Sequence, residues 1–294
     1  MQHRYARAAR VAALALLWGS SFLWIKVALD SFTPIQISTL RMVLGAAALL
    51  VILRWKRLSL PTGWATWGHL AIAALFGNAA PYLLFGIAER EISSAAAGVI
   101  TASTPLWTVL LTVVAYRNSQ AARRNGWSLA LGFLGVMLIF SPWLHGSEIA
   151  SWCGLACLAA AASYGVSYLY IGHFLTKQDH LGALPMAAGQ LISASILTAV
   201  AIPFFGWPAP IWNTTSVAAL VILGVLGTGV AYILNYRIIT DDGPTPASIV
   251  QYLLPVVAVA LGFALLSEPL QLQILVGMVI VLVAAKLRRP ESNR

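Results

Sequence analysis

Charge is what this sequence has least of. Only 9% of its 294 residues are Asp, Glu, Lys or Arg, against 60% that are hydrophobic, and the mean hydropathy is +0.82. Helices of water-soluble domains keep a polar face, so this balance excludes an ordinary soluble fold. Acids are scarcer still than bases, nine against eighteen. None lies near the centre of an apolar run, which leaves proton coupling through a mid-membrane carboxylate without support. Cysteine is nearly absent. Cys153 and Cys157 stand one helical turn apart, a poor geometry for a disulfide, and no His lies at ligand spacing, so both read as small packing residues. No metal or other cofactor is expected.

What the sequence does have is long apolar runs. A bilayer core of ~30 Å takes about 20 apolar residues per helical crossing. Ten runs qualify: 11–29, 35–53, 68–88, 94–116, 127–144, 152–172, 183–205, 217–236, 247–266 and 271–287. The expected fold class is therefore an all-α integral membrane protein of ten transmembrane helices. The basic residues fall on one side. Arg4, Arg7, Arg10, Arg54, Lys56, Arg57, Arg117, Arg123, Arg124, Lys177, Arg237, Lys286, Arg288, Arg289 and Arg294 occupy one set of loops and both ends, whereas the opposite loops hold only Arg90. Cytoplasmic loops carry the Lys and Arg excess, so both termini are expected to be cytoplasmic. The net charge of +9 thus has a topological explanation, and no nucleic-acid partner is expected. The basic start before an apolar run superficially resembles a signal peptide. Trp18, Lys26 and nine later runs instead make it the first crossing.

The second five runs repeat the first five. Residues 79–105 align without a gap on 229–255, pairing Tyr82 with Tyr232, Leu84 with Leu234, Glu91 with Asp241, Ala97 with Ala247 and Pro105 with Pro255. Elsewhere Arg41 falls on Gln190, and Trp18 to Phe22 falls on Tyr164 to Tyr168. Five crossings reverse direction, so the copies, residues 1–146 and 147–294, are expected to be inverted halves of one membrane domain. Such halves bind solute near the bilayer midplane where they meet, the architecture of alternating-access carriers. Pro105 and Pro255 are expected mid-helix, each removing a backbone hydrogen bond, either as static kinks or as hinges of a gate.

Polar residues within a bilayer tend to face the bundle interior or a cavity. Asn78, Tyr82, Phe85 and Glu89 follow one helical face, and Thr228, Tyr232 and Asn235 repeat it. Thr101, Thr104 and Thr108 share a face beside Ser103, and the matching run carries Ser248, Gln251 and Tyr252. Trp18, Ser21, Tyr164, Ser167, Tyr168 and Gln190 complete the expected substrate site. Its aromatic and amide character suits an amphipathic small solute. For each residue the alternative is helix glue or an interfacial aromatic. Lys26 and Arg41 are the cations within spans. Either could attract a carboxylate or phosphate entering from outside or pair with Glu89 or Glu268 in an outer gate; Lys26 is expected instead to snorkel to the outer headgroups, and Arg41 to act as a gate or packing pair. An anion carrier would place cations deeper, and none is evident at that depth. His69 reads as an interfacial residue.

Leu17-Trp18-Gly19-Ser20-Ser21-Phe22 with Lys26, Leu40-Arg41-Met42, the Pro105 and Pro255 runs, and Ser267-Glu268-Pro269-Leu270 together resemble the drug/metabolite transporter superfamily, in its EamA-type branch. The resemblance runs through essentially the whole chain. It implies two five-helix EamA repeats around a central cavity and export of amino acids or related metabolites from the bacterial cytoplasm across the inner membrane. Exporters of the YddG type, which move aromatic amino acids, are one similar group. Asn118 departs from the pattern where Glu268 would lead one to expect an acid. The runs 127–144 and 271–287 carry Gly132, Gly135 and Gly277 and almost no polar residue, which suggests a dimer face; a monomer or a homodimer is expected. Extrusion of lipophilic cationic drugs is the rival within the superfamily, but the cavity lacks the carboxylate that such cations usually need. An intramembrane enzyme would need a catalytic cluster that the sequence does not show. A sensor would not need a polar seam duplicated in both halves.

Overall fold

The computed structural model describes residues 2–115, 151–175, 182–242 and 244–287, with scattered positions between 127 and 138. Among these the chain is helical, with no strand. Six helical stretches are long and apolar enough to cross a membrane: 8–28, 34–55, 64–88, 152–175, 183–205 and 214–238. Two shorter apolar helices, Leu253–Leu266 and Leu272–Ala284, follow. Asn118, Lys177 and most of the run 127–144, on which the count of ten and the suggested dimer face partly depend, lie outside the described residues.

Local signals set the helix starts. The Thr33 backbone N–H donates to Gln36 Oε1 at 2.8 Å ahead of Pro34–Trp55, and Pro34 needs no hydrogen-bond acceptor in that first turn. Ser151 Oγ accepts from the Cys153 and Gly154 N–H groups ahead of Trp152–Tyr170, and Asn213 Oδ1 accepts from the Thr215 N–H at the start of Thr214–Val221. Large apolar side chains such as Val51, Ile196 and Val200 are exposed along the outside of these helices, and Trp64, Trp152 and Trp212 stand exposed near their ends. That is the distribution expected where lipid, and then headgroups, are the solvent.

The two halves pack by exchange. Helix Pro34–Trp55 lies against its repeat mate Ala183–Phe205, and Ser94–Thr101 against its mate Pro244–Leu266. The remaining contacts come in swapped pairs. Ala80–Ala88 packs on Trp152–Tyr170 while its mate Ala231–Asp242 packs on Gln2–Gly19; Pro34–Trp55 packs on the 222–230 segment while Ala183–Phe205 packs on Trp64–Ala74. A surface that meets its own copy in this reciprocal way has two-fold character.

Two departures from regular helix sit at matched positions. Residues Leu75–Ala79 and Ile222–Val230 form π-helical turns, and the offset of 150 found in the sequence superposes 75–79 on 225–229. In the first, Pro81 has no N–H to give the Gly77 carbonyl four residues earlier. In the second, Gly224 brings the backbone close to the preceding half: a Cβ added there would lie 2.7 Å from the Leu44 Cβ. Such turns widen a helix locally and are frequent at functional sites.

The matched prolines do not behave alike. Pro105 was expected inside a helix, but the helix is interrupted by a turn at Ala102 and Ser103, and Pro105 sits in the first turn of a new helix, Thr104–Ala115. A first-turn proline leaves no acceptor stranded within its own helix, and the Leu106 and Trp107 N–H groups turn back to the Ser103 carbonyl. Pro255 lies within the continuous helix Pro244–Leu266.

Candidate functional site

A cavity of about 50 Å³ lies where the halves meet. Trp18, Ser21, Phe22, Ile25, Arg41, Gly77, Tyr82, Phe85 and Thr101 line it from the first half, and Tyr164, Ser167, Tyr168, Ile171, Gln190, Tyr232, Asn235, Gln251 and Leu254 from the second. The space holds a few water molecules, so a solute of amino-acid size requires the halves to part.

Its walls are aromatic edges. Trp18 meets Tyr232 at 6.0 Å between ring centres, Tyr82 meets Tyr164 at 6.4 Å, and Phe22 meets Phe85 at 5.4 Å, all edge to face. Behind Tyr232 runs a buried polar chain. The Tyr232 hydroxyl donates to the Gly77 carbonyl at 3.0 Å and accepts from Asn78 Nδ2 at 2.7 Å. Asn78 Oδ1 accepts from Gln190 Nε2 at 2.7 Å, and Gln190 Oε1 accepts from the Tyr236 hydroxyl. Each link but one joins the two halves. Gln251 Nε2 donates to the Tyr168 hydroxyl, while Gln251 Oε1, Asn235 Oδ1 and Trp18 Nε1 are buried with no partner among the described residues.

Of the expected substrate-site residues, Trp18, Ser21, Tyr82, Thr101, Tyr164, Ser167, Tyr168, Gln190, Tyr232, Asn235 and Gln251 line this cavity. Asn78 does not; it is fully buried behind the wall, with its amide spent on Tyr232 and Gln190. Thr104 is also buried away from the lining, with its hydroxyl unpartnered. Ile25, Ile171 and Leu254 carried no signal, because an apolar residue inside an apolar span does not stand out.

The two cations take partners that the sequence did not indicate. Arg41 is only 2% exposed and belongs to the cavity wall: its guanidinium carbon lies 3.7 Å from the centre of the Tyr82 ring, and Nε donates to Thr228 Oγ1 at 3.2 Å. Lys26 does not snorkel. Its ammonium donates to the backbone carbonyls of Glu89 at 2.6 Å and Ile92 at 2.9 Å, closing the end of helix Ala80–Ala88, where unpaired carbonyls favour a cation.

The acids expected at an outer gate pair with neither cation among the described residues. Glu268 accepts from the Ser94 N–H at 2.8 Å, the Ala95 N–H at 3.0 Å and Ser94 Oγ at 3.0 Å, so a carboxylate of the second half caps a helix of the first. Glu89 is fully buried, with both carboxylate oxygens unpartnered. Cys153 and Cys157 are free and buried, and no cluster of His, Cys, Asp or Glu that could hold a metal occurs among the described residues. His69 pairs through Nδ1 with the Tyr170 hydroxyl at 2.6 Å, away from the cavity.

A duplicated helical unit closing on one aromatic and amide-lined cavity defines a membrane transporter class, and the comparisons give the family. The EamA-like transporter family matches residues 9–141 and again 151–287, and the chain belongs to it. An uncharacterized transporter of Archaeoglobus fulgidus is 27% identical, with 97% of each chain covered. Uncharacterized transporter YoaV of Bacillus subtilis is 22% identical over 92% of each, and Protein PagO of Salmonella typhimurium 25% over 96% of this chain and 93% of the relative. One solved crystal structure, at 18% identity, covers 97% of both chains with a TM-score of 0.67, a likeness of fold alone. The protein is thus a multi-pass membrane transporter of the drug/metabolite transporter superfamily.

Proposed function

We propose that the protein exports amino acids, aromatic or other neutral ones, and related small metabolites across the bacterial inner membrane. Residues 1–146 and 147–294 act as inverted five-helix halves with both termini cytoplasmic, and they rock about the shared cavity. The observation that carries this reading is the composition of that cavity, built about equally from both halves and lined by tyrosines, tryptophan and side-chain amides. Flat aromatic faces accept side chains of varied shape, and amides and hydroxyls hold polar ends. The matched widened turns at 75–79 and within 222–230 lie beside that cavity, where a helix must flex if access is to alternate. Trp18, Tyr82, Tyr164, Tyr168, Tyr232 and Asn235 contact the solute. Bending at the Ala102–Ser103 turn and at Pro255 supplies the gate, with Glu268 holding the two halves together at one end.

The test is purified protein in liposomes preloaded with a panel of labelled amino acids. Efflux of at least one above protein-free liposomes is expected. No flux for any, from protein shown to be folded, overturns the reading.

A further inference from the structure

We propose that the cavity is polarised for a zwitterion, with the Arg41 guanidinium taking a carboxylate and the side-chain carbonyls of Asn235 and Gln251 taking an ammonium. This rests on the transport reading above and specifies the solute's chemistry within it.

Arg41 is a buried cation with no hydrogen bond or ion pair to an acid among the described residues, and Glu89 acts on it only through space. No acidic residue lines the cavity, and neither carboxylate oxygen of Glu89 has a hydrogen-bond partner among the described residues. The guanidinium is held by Thr228 through Nε and by the face of Tyr82. Those contacts orient the group and leave the two terminal nitrogens with no hydrogen bond among the described residues. That pair of nitrogens is the edge that takes a carboxylate with two parallel bonds. A buried charge held by a neutral hydroxyl and a ring is poorly compensated, and a bound anion completes it.

The same wall carries complementary orphans. Among the described residues Asn235 Oδ1 and Gln251 Oε1 are acceptors without donors, and Trp18 Nε1 is a donor without an acceptor. Gln251 has its Nε2 committed to the Tyr168 hydroxyl, which leaves its oxygen as the free end. An ammonium offers three donors to such carbonyls, and a carboxylate can accept from the indole as well as from Arg41. The two ends are not of equal strength. Neutral carbonyls repay the dehydration of a cation less well than a guanidinium repays that of a carboxylate, so the carboxylate dominates recognition and an amine without one is rejected.

The experiment uses the full chain in liposomes at pH 7, measuring counterflow of labelled L-phenylalanine. The competitors are unlabelled L-phenylalanine, 3-phenylpropionate, which lacks the ammonium, and phenethylamine, which lacks the carboxylate. L-leucine, 4-methylpentanoate and isoamylamine form a second trio. A charge-assisted hydrogen-bond set is expected to make the carboxylate-only analogue weaker than the amino acid by roughly tenfold, and the amine weaker by roughly a hundredfold. Arg41→Gln should erase the discrimination against the amine, with Arg41→Lys restoring part of it. Gln251→Leu should narrow the gap between amino acid and carboxylate-only analogue. Should the variants fail to fold, the wild-type ranking still decides. An amine that competes as well as its amino acid overturns the polarity while leaving amino-acid transport intact. No flux of either amino acid or of any other amino acid, with efflux of the lipophilic cation ethidium, overturns the transport reading and this inference together.

Discussion

The hydroxyl of Tyr232 donates to the backbone carbonyl of Gly77, the carbonyl that Pro81 cannot serve. A side chain of the second half thereby completes the main chain of the first, at the widened turn beside the cavity. The same oxygen accepts from Asn78, so one phenol is both donor and acceptor toward the first half.

Tyr232→Phe removes that link with little change of volume. Two buried groups lose their partner, and each orphan costs ~1–3 kcal/mol. A lowered thermal midpoint in detergent and slower counterflow are expected; an unchanged midpoint would show that the bond contributes nothing.

Glu268 should separate charge from hydrogen bonding. Glu268→Gln keeps an acceptor for the Ser94 and Ala95 N–H groups but removes the charge that favours a helix N-terminus, a loss of ~0.3–2 kcal/mol. Glu268→Ala removes all three bonds and should cost more, by the ~0.5–2 kcal/mol typical of a lost cap. Thermal melts in the order wild type, Gln, Ala check this; Gln equal to Ala would contradict it.

Gly77→Ala places a Cβ 2.5 Å from Ser167 Oγ, a distance no real contact tolerates. The expected destabilisation is of the ~1–3 kcal/mol that overpacking costs. Ser167→Ala in the same chain should restore most of it, because the clash is with that hydroxyl. A double-mutant cycle measures the coupling, and additive effects would place the strain elsewhere.

Lys26→Met keeps length and apolar stem but loses the bonds to the Glu89 and Ile92 carbonyls. A snorkelling lysine would be replaced at little cost. The structure predicts a loss of ~1–3 kcal/mol, since hydrogen bonds to charged groups are the stronger kind, read by chemical denaturation in detergent.

Much of the site was legible because intramembrane polarity is rare. Tyr82, Tyr232, Gln190, Asn235 and Gln251 stood out from apolar runs at helical spacing, and they do line the cavity. Asn78 stood out equally and lies behind the wall, because spacing fixes a face but not the depth from it. Arg41 shows a related limit: its place in the sequence did not indicate that its guanidinium would line the cavity, held by Tyr82 and Thr228 on other helices. The matched prolines show the same limit: both lack an N–H, yet Pro105 falls in a first turn where none is needed and Pro255 inside a continuous helix.

The sequence by itself determined that this chain lives in a membrane, that it is duplicated, and which few polar groups its interior must accommodate. Those follow from the cost of exposing backbone and charge to lipid, which acts residue by residue. Only the tertiary structure decided partners. That Glu268 caps a helix, that Lys26 closes another, and that Arg41 faces the cavity bonded to no acid among the described residues depend on distances between residues far apart in sequence, which no local pattern encodes.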